Sequence, residues 1–279
     1  GRYDIIKTRN ITLNVNANAT LISNKIDELH PDLKGKWIDG SRIYEEGNSM
    51  YRLYLAEWAG VDPETGEGLF WVNDYEMETI TTSDGKEKQG EVWYDANGNK
   101  IANEDLETFV GEKNRNILGR KKSSDYTVAQ QTEERVATDD LLPDVYGGFG
   151  LSLNAYGFDA SVQFAYQLGG QVLDYGYMYL MHASASSDAG GTWHKDILNA
   201  WTPNNTNTDI PRLNAGDRYT AYTSTRWLTS AIYLSINNVT VGYTLPKQWV
   251  SKAGLSSARV YFSGDNLGPF AKRKGLDPR

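Results

Sequence analysis

Carboxylates, imidazoles and aromatic rings are the side chains here that could do chemistry. Asp62, Glu64 and Glu67 stand close together, and paired carboxylates can cleave glycosides when a cleft sets their separation. Sequence proximity does not set it, and Asp62-Pro63-Glu64-Thr65-Gly66 reads more simply as a turn with solvated acids. Asp95-Ala96-Asn97-Gly98-Asn99 has some likeness to a calcium loop, but its glycine is fourth rather than sixth and no Glu stands twelfth. His30, His182 and His194 are not at metal-ligand spacing, and there is no G-x-S-x-G nucleophile motif. No catalytic constellation emerges, so an enzyme is not expected, and no cofactor or metal is implied.

Residues 171–230 have a different chemistry. Their aromatic rings lie among Asn, Thr, Asp and Ser. Such rings suit the C–H faces of sugars while the neighbours bond the hydroxyls. They suit a protein partner equally, since Tyr and Trp dominate interface hot spots, and each ring could also simply pack the segment against itself. Trp193, Trp201, Asn204, Tyr219 and Tyr222 are the candidates for substrate or partner contact.

The elements that must position these residues are strands. Ile11, Leu13, Val15, Ala17 and Ala19 alternate with Thr12, Asn14, Asn16, Asn18 and Thr20, so Ile11 to Leu21 is a strand with one apolar and one polar face. A hairpin follows. Leu151, Leu153 and Ala155 alternate with Ser152 and Asn154, the chain turns near Tyr156-Gly157, and it returns along Ala160, Val162, Phe164, Tyr166 and Leu168. A fourth strand covers about Ala231 to Leu245, and a fifth runs from Arg259 to about Asn266. In the fourth, Ile232, Leu234 and Ile236 hold one phase and Val239, Val241 and Tyr243 the other. A β-bulge at Asn237-Asn238 would restore a single apolar face.

The polar faces are Thr, Asn, Ser and Gln, nearly free of charge. That fits a wet, enclosed lumen with lipid on the other side; the alternation alone also admits a soluble sandwich. Turn lengths favour the barrel. The Tyr156-Gly157-Phe158 connection is very short and that from Pro246 to Ser257 moderate, whereas residues 30–145 and 171–230 are very long. An outer-membrane barrel has this asymmetry, with periplasmic turns and extracellular loops. Tyr146, Phe149, Tyr156, Phe158, Tyr243 and Trp249 are expected to form an interfacial girdle at the short-turn end, or else to be ordinary strand-end aromatics. Within 30–145, Leu69 to Val72 and Glu91 to Tyr94 read as short strands, with turns at Ser83-Asp84-Gly85 and Asn97-Gly98.

Composition narrows the classes further. The 279 residues carry a net charge of −8, which argues against nucleic acid, and no cysteine, so neither disulfide nor thiolate site is available. The start, Gly1-Arg2-Tyr3-Asp4, has no leader pattern, and Gly275-Leu276-Asp277-Pro278-Arg279 reads as a loop, so a fragment of a longer protein is expected.

The ordered motifs resemble the SusC/RagA family of TonB-dependent outer-membrane transporters. They begin with Asn24-Lys25-Ile26 and Trp58-Ala59-Gly60-Val61-Asp62-Pro63-Glu64-Thr65-Gly66, followed by Leu142-Pro143-Asp144-Val145-Tyr146-Gly147-Gly148-Phe149. Trp201-Thr202-Pro203-Asn204-Asn205 and Ile210-Pro211-Arg212 come next. Asn238-Val239-Thr240-Val241-Gly242-Tyr243-Thr244-Leu245-Pro246, Gly264-Asp265-Asn266-Leu267 and Gly275-Leu276-Asp277-Pro278 complete the set.

The resemblance implies an all-β fold: part of a transmembrane antiparallel β-barrel of about 22 strands, with residues 1–279 as a partial C-terminal region. Plug, TonB box, earlier strands and final strand would lie outside it. It further implies import of glycans, oligosaccharides or peptides across the bacterial outer membrane, driven by TonB and assisted by a SusD-type surface lipoprotein. An open sheet of this kind has unpaired edges and a lipid face, so the isolated chain is expected to aggregate without detergent. The competing expectation is a secreted carbohydrate-binding or adhesive β-sandwich, which predicts charged residues on the polar strand faces.

Overall fold

The computed structural model describes residues 1–81, 85–101, 119–181, 192–214, 216, 222–273 and 275–278. Two strands open the chain, β1 (Arg2–Lys7) and β2 (Ile11–Leu21). A first excursion then carries β3 (Lys36–Asp39), β4 (Arg42–Glu45), β5 (Arg52–Leu55), β6 (Glu57–Val61) and β7 (Gly68–Asn73). It continues through β8 (Tyr75–Thr81), β9 (Glu87–Trp93), β10 (Arg120–Ser123), α1 (Tyr126–Ala129) and β11 (Val136–Ala137). The long hairpin is β12 (Val145–Ala155) and β13 (Phe158–Leu168). A second excursion runs between β14 (Gln171–Leu173) and β15 (Leu228–Ser230), and contains α2 (Tyr175–Met181). The chain closes with β16 (Tyr233–Thr244), α3 (Lys247–Val250), β17 (Arg259–Asp265) and β18 (Pro269–Ala271).

One antiparallel sheet forms a wall in the order β1-β2-β12-β13-β16-β17, and β18 continues the pairing of β17 further along β16. It is open: β1 and β17 are each paired on one side. Registers are long and regular. β2 pairs β12 from Leu21 opposite Val145 to Ile11 opposite Ala155, and β12 pairs β13 over its full length. The hairpin turn needs only Tyr156 (φ 50) and Gly157 (φ 89), the two positive-φ positions of a type I′ connection, whose twist matches that of the strands.

Register fixes the two faces, because directly opposed residues share a side. Leu13, Leu153 and Ala160 fall on one side with Val15, Leu151, Val162, Val239 and Val241. Asn14, Ser152 and Ser161 fall on the other with Asn16, Gln163, Asn238 and Thr240. The expected bulge is present: Gln163 faces Asn238 while Phe164 faces Ile236, leaving Asn237 as the extra residue. Ser235 donates to the Asn237 side chain at 2.6 Å, holding the bulge from the polar side.

Burial is inverted relative to a soluble sheet. Among the described residues, none of the buried hydrophobic side chains belongs to a wall strand; all lie in the excursions or the β16–β17 connection. On the wall, Leu151 (42% exposed) and Phe262 (71%) lie open, whereas Asn14 (3%) and Ser235 (0%) on the polar side are buried. The excursions have cores of their own. Ala56, Phe70, Val72, Tyr126 and Ala129 form one, and Met181, Ile197, Ala200, Ile210 and Trp227 the other.

Three sequence expectations need correcting. Tyr146 faces Thr20 and Gln167, at the end of the wall opposite the short turn, and Phe149 sits mid-strand against Ala17 and Phe164. Neither is in the short-turn group, where Phe158 and Tyr243 pack as tilted rings with centroids 4.4 Å apart. The cause is direction: β12 starts at Val145 and needs ten residues to reach the turn. Secondly, the wall is six strands wide rather than five. β1 was hidden because a register shift between Asp4 and Ile6 breaks its alternation and leaves Ile5 and Ile6 side by side. Thirdly, the polar face is not wholly neutral. Arg259 on β17 bridges Asp159 on β13 through both guanidinium and carboxylate ends, passing over Gly242, where a side-chain carbon would fall 2.5 Å from the guanidinium.

Candidate functional site

Both excursions leave the same end of the wall, and the second docks on the first. The Asp62–Gly66 turn forms because the Asp62 carboxylate accepts the backbone N–H groups of Glu64 (2.8 Å) and Thr65 (3.3 Å), which hold its pKa below the ordinary carboxylate value. Trp201 covers that turn and donates its indole N–H to the Pro63 carbonyl at 3.0 Å. Arg212 adds a bond to the Thr65 carbonyl at 3.0 Å and an ion pair with Glu67 at 2.8 Å. Two of these carboxylates thus have structural roles: Asp62 caps its own turn, and Glu67 is held by an arginine.

A second junction lies deeper. Ser224 pairs with Ala56 in a parallel bridge, the Thr225 amide donates to the Ala56 carbonyl, and the Trp58 amide donates to Thr225 Oγ1 at 2.9 Å. Between the two cores lies Arg226. Its guanidinium is 4.7 Å from the Trp58 ring centroid and 4.4 Å from that of Trp227, so one cation bridges an aromatic ring from each excursion.

The second excursion and the segment after β18 together frame an open cavity of about 530 Å³, with Tyr177, His194, Lys195, Asp196, Lys272 and Arg273 in its lining. Tyr177 organises it. Its hydroxyl donates to Asp196 at 3.1 Å, its ring meets the His194 edge at 5.0 Å, and Arg273 stacks 3.8 Å from the ring centroid. Burial, followed by the bond to Asp196, raises the Tyr177 pKa above that of a free phenol. Arg273 Nε lies 3.0 Å from buried Asp174, although the N–H is not aimed along that line. A neighbouring cavity of about 420 Å³ shares Thr229 and Lys272 and is also lined by Asp139, Asp140 and Asp144.

The sequence candidates fall in three places. Trp201 is the brace on the Asp62–Gly66 turn, and Asn204 is exposed in the loop that follows it. Trp193 is 51% exposed beside His194, at the mouth of the second excursion. Tyr222 is 47% exposed and stacks on Tyr126 at 5.3 Å, so it extends the first core outward. Tyr219, His182 and Ser83-Asp84 lie outside the described residues. These candidates do not converge on one point. The cavity cations have no local sequence signal: Lys272 and Arg273 are neighbours, but Lys195 is far from them in sequence and joins them only in the fold.

At Asp95 the carboxylate accepts the amides of Asn97 and Asn99, both at 2.8 Å, and the Asn99 side chain at 3.1 Å. The Asn99 bonds lead in lowering its pKa. Its oxygens are thus engaged by the turn itself, and Tyr94 pairs with Lys100 across it, as the Asn97-Gly98 signal predicts. Among the described residues, no three His, Asp or Glu side chains converge as a metal site would require.

No protein-family model matches the chain. It is 28% identical over 282 residues to TonB-dependent receptor P3 of Formosa agariphila, covering 98% of this chain and 24% of that protein. TonB-dependent receptor P26 of the same organism is 26% identical over 148 residues, covering 53% of this chain and 14% of that one. Among solved structures, the RagAB peptide transporter matches 99% of this chain and 26% of its own, with TM-score 0.68 and 24% identity. The RagAB peptide importer in the open-open state gives TM-score 0.58 at 22% identity. At those identities the structures establish a shared fold, and the chain spans about a quarter of the relatives' length. Nearly the whole chain is thus similar to one stretch of a TonB-dependent receptor and shares the fold of one stretch of the RagAB transporter, as the resemblance of the ordered motifs implies.

Proposed function

We propose that this chain forms part of the wall and outer vestibule of an outer-membrane importer of the TonB-dependent kind. One observation carries the reading: the wall exposes Leu151, Phe262 and Val241 while burying Asn14 and Ser235. In water that apolar sheet face would be a large sticky patch; in a bilayer it meets acyl chains, and the opposite face meets a wet lumen. The short connections at one end and the two folded excursions at the other fit periplasmic and extracellular sides. Similarity to proteins described as TonB-dependent receptors supports energy coupling through TonB, acting on a part of the protein beyond this chain. Similarity in fold to the RagAB peptide transporter supports a peptide as cargo; the resemblance of the ordered motifs to the SusC/RagA family adds an oligosaccharide as the alternative cargo and a SusD-type surface lipoprotein that caps the excursions.

In this scheme the excursions capture and the wall conducts. Trp193, Asn204 and Tyr222 face outward and are the contacts for substrate or lipoprotein, while Trp201 holds the excursions together. The test is fractionation and uptake with the full-length protein. It should be recovered from the outer membrane only with detergent, and uptake of its nutrient should stop when TonB is deleted. Recovery as a soluble secreted protein would sink the proposal in favour of a sandwich.

A further inference from the structure

We propose that the cavity between Lys195 and Lys272 is a subsite for a carboxylate group of the ligand; this rests on the import function proposed above and specifies its substrate class. Three cations line the cavity, Lys195, Lys272 and Arg273, against one carboxylate, Asp196. That carboxylate is engaged: it accepts the Tyr177 hydroxyl at 3.1 Å. Arg273 is braced by the Tyr177 ring and by Asp174, so its position is set before any ligand arrives. Lys195 and Lys272 are exposed, and neither has an ion-pair partner among the described residues.

The chain as a whole is acidic, at −8, which makes a cation-rich recess local and selective rather than part of a general basic surface. Lys272 also lines the adjoining cavity, together with three acids, Asp139, Asp140 and Asp144. Those acids disfavour an anion in that cavity, whereas the one shared with Lys195 and Arg273 favours it. Two free ammonium groups and a fixed guanidinium make charge-assisted hydrogen bonds to a carboxylate, while a neutral hydroxyl or amide gains much less there. Trp193, adjacent in sequence to the lining residue His194 and 51% exposed, offers a stacking surface that a sugar ring or a peptide plane could use.

A carboxylate can come from a uronic acid residue or from an acidic peptide, and four probes separate the sources. Tetragalacturonic acid is compared with its methyl ester, and tetraglutamate with tetraglutamine, by calorimetry on the full-length protein in detergent at low salt. The expected result is that at least one acidic probe binds ~10-fold or more tightly than its neutral counterpart, about 1.4 kcal/mol. The double variant Lys195→Gln/Lys272→Gln should erase that preference, and Lys195→Arg/Lys272→Arg should keep it. Equal binding of acidic and neutral forms, binding of neither acidic probe, or a preference that survives the glutamine variant would each overturn the subsite. Outer-membrane recovery of the same protein is read separately, so a failed subsite is distinguishable from a failed import reading.

Discussion

Trp201 lies across Gly66, so that a carbon added to Gly66 would fall 2.4 Å from the indole Cδ2 and Cε3 atoms. Gly66 also has φ +74, a conformation that costs other residues roughly 1–2 kcal/mol. Gly66→Ala therefore combines strain with overpacking, and should loosen the two excursions by about 2–4 kcal/mol. Limited proteolysis of the full-length protein should show faster cutting in residues 192–214 while the wall stays protected. Unchanged cutting would mean that the turn and Trp201 are not coupled.

Arg226 should behave as a bridge rather than a surface charge. Arg226→Ala removes two cation–π contacts and should cost about 1–2 kcal/mol of local stability. A double-mutant cycle with Trp58→Leu should show coupling of about 0.5–1 kcal/mol. Strict additivity would indicate that the stacking carries no energy.

The two faces of the wall should answer oppositely to charge. Leu151→Arg places a cation mid-strand on the apolar face and should destabilise the protein by about 2–4 kcal/mol in vesicles. Ser161→Lys, on the polar face, should cost well under half as much. Denaturant unfolding in lipid vesicles reads both, and equal costs would argue that neither face meets lipid.

Asp125 caps α1 and should confer a pH dependence on that corner. Its carboxylate accepts the Thr127 hydroxyl and, at 2.8 Å, the Thr127 amide; the hydroxyl bond leads in lowering its pKa below 3.8. A lowered folded pKa gives stability that is present above about pH 4 and lost as pH falls through the folded value. Amide exchange at Ala129 and Gln130 should be slow at pH 6 and faster, after correction for intrinsic rates, below pH 3.5. Asp125→Ala should cost about 1 kcal/mol at neutral pH and remove the dependence. An unchanged exchange profile in that variant would show that the cap is idle.

Alanine at Trp193 and Tyr222 should weaken substrate or lipoprotein binding by the full-length protein several-fold, about 1 kcal/mol each. Wall stability should not change. Unaltered affinity for both ligands would remove these two residues from the vestibule.

Sequence legibility followed the range of the interactions. β2 was readable to the residue because Ile11 to Leu21 alternates without a break, and the bulge at Asn237 was readable because it is the place where alternation changes phase. β12 was shortened at its start because Gly147, Gly148 and Gly150 supply no side chains to alternate. Gly150 is glycine for a reason that only register reveals: Gln163 folds over it, within 2.2 Å of where a side-chain carbon would be. The site was the least legible part. The Trp58–Thr225 bond joins residues 167 positions apart, and no local pattern announces a contact of that span. Tyr146 illustrates the same limit: it is close in the chain to the short-turn aromatics, but strand direction sets it at the opposite end of the wall, against Thr20 and Gln167.

The bulge at Asn237 makes the wall a matter of odd and even. Along every strand, gaining or losing two residues returns each side chain to its own side, whereas a change of one exchanges oil for water over everything beyond it. β16 already contains one odd step, absorbed by Asn237 and held by Ser235. Removing that residue would take the odd step out together with the bulge and leave Tyr233 to Ser235 on their present sides; removing one residue from β13, which has no bulge of its own, would instead turn everything beyond the deletion inside out and carry the base of the second excursion with it. Length variation in such a wall is therefore free in the excursions, paired in the strands, and odd only where a bulge already exists to receive it.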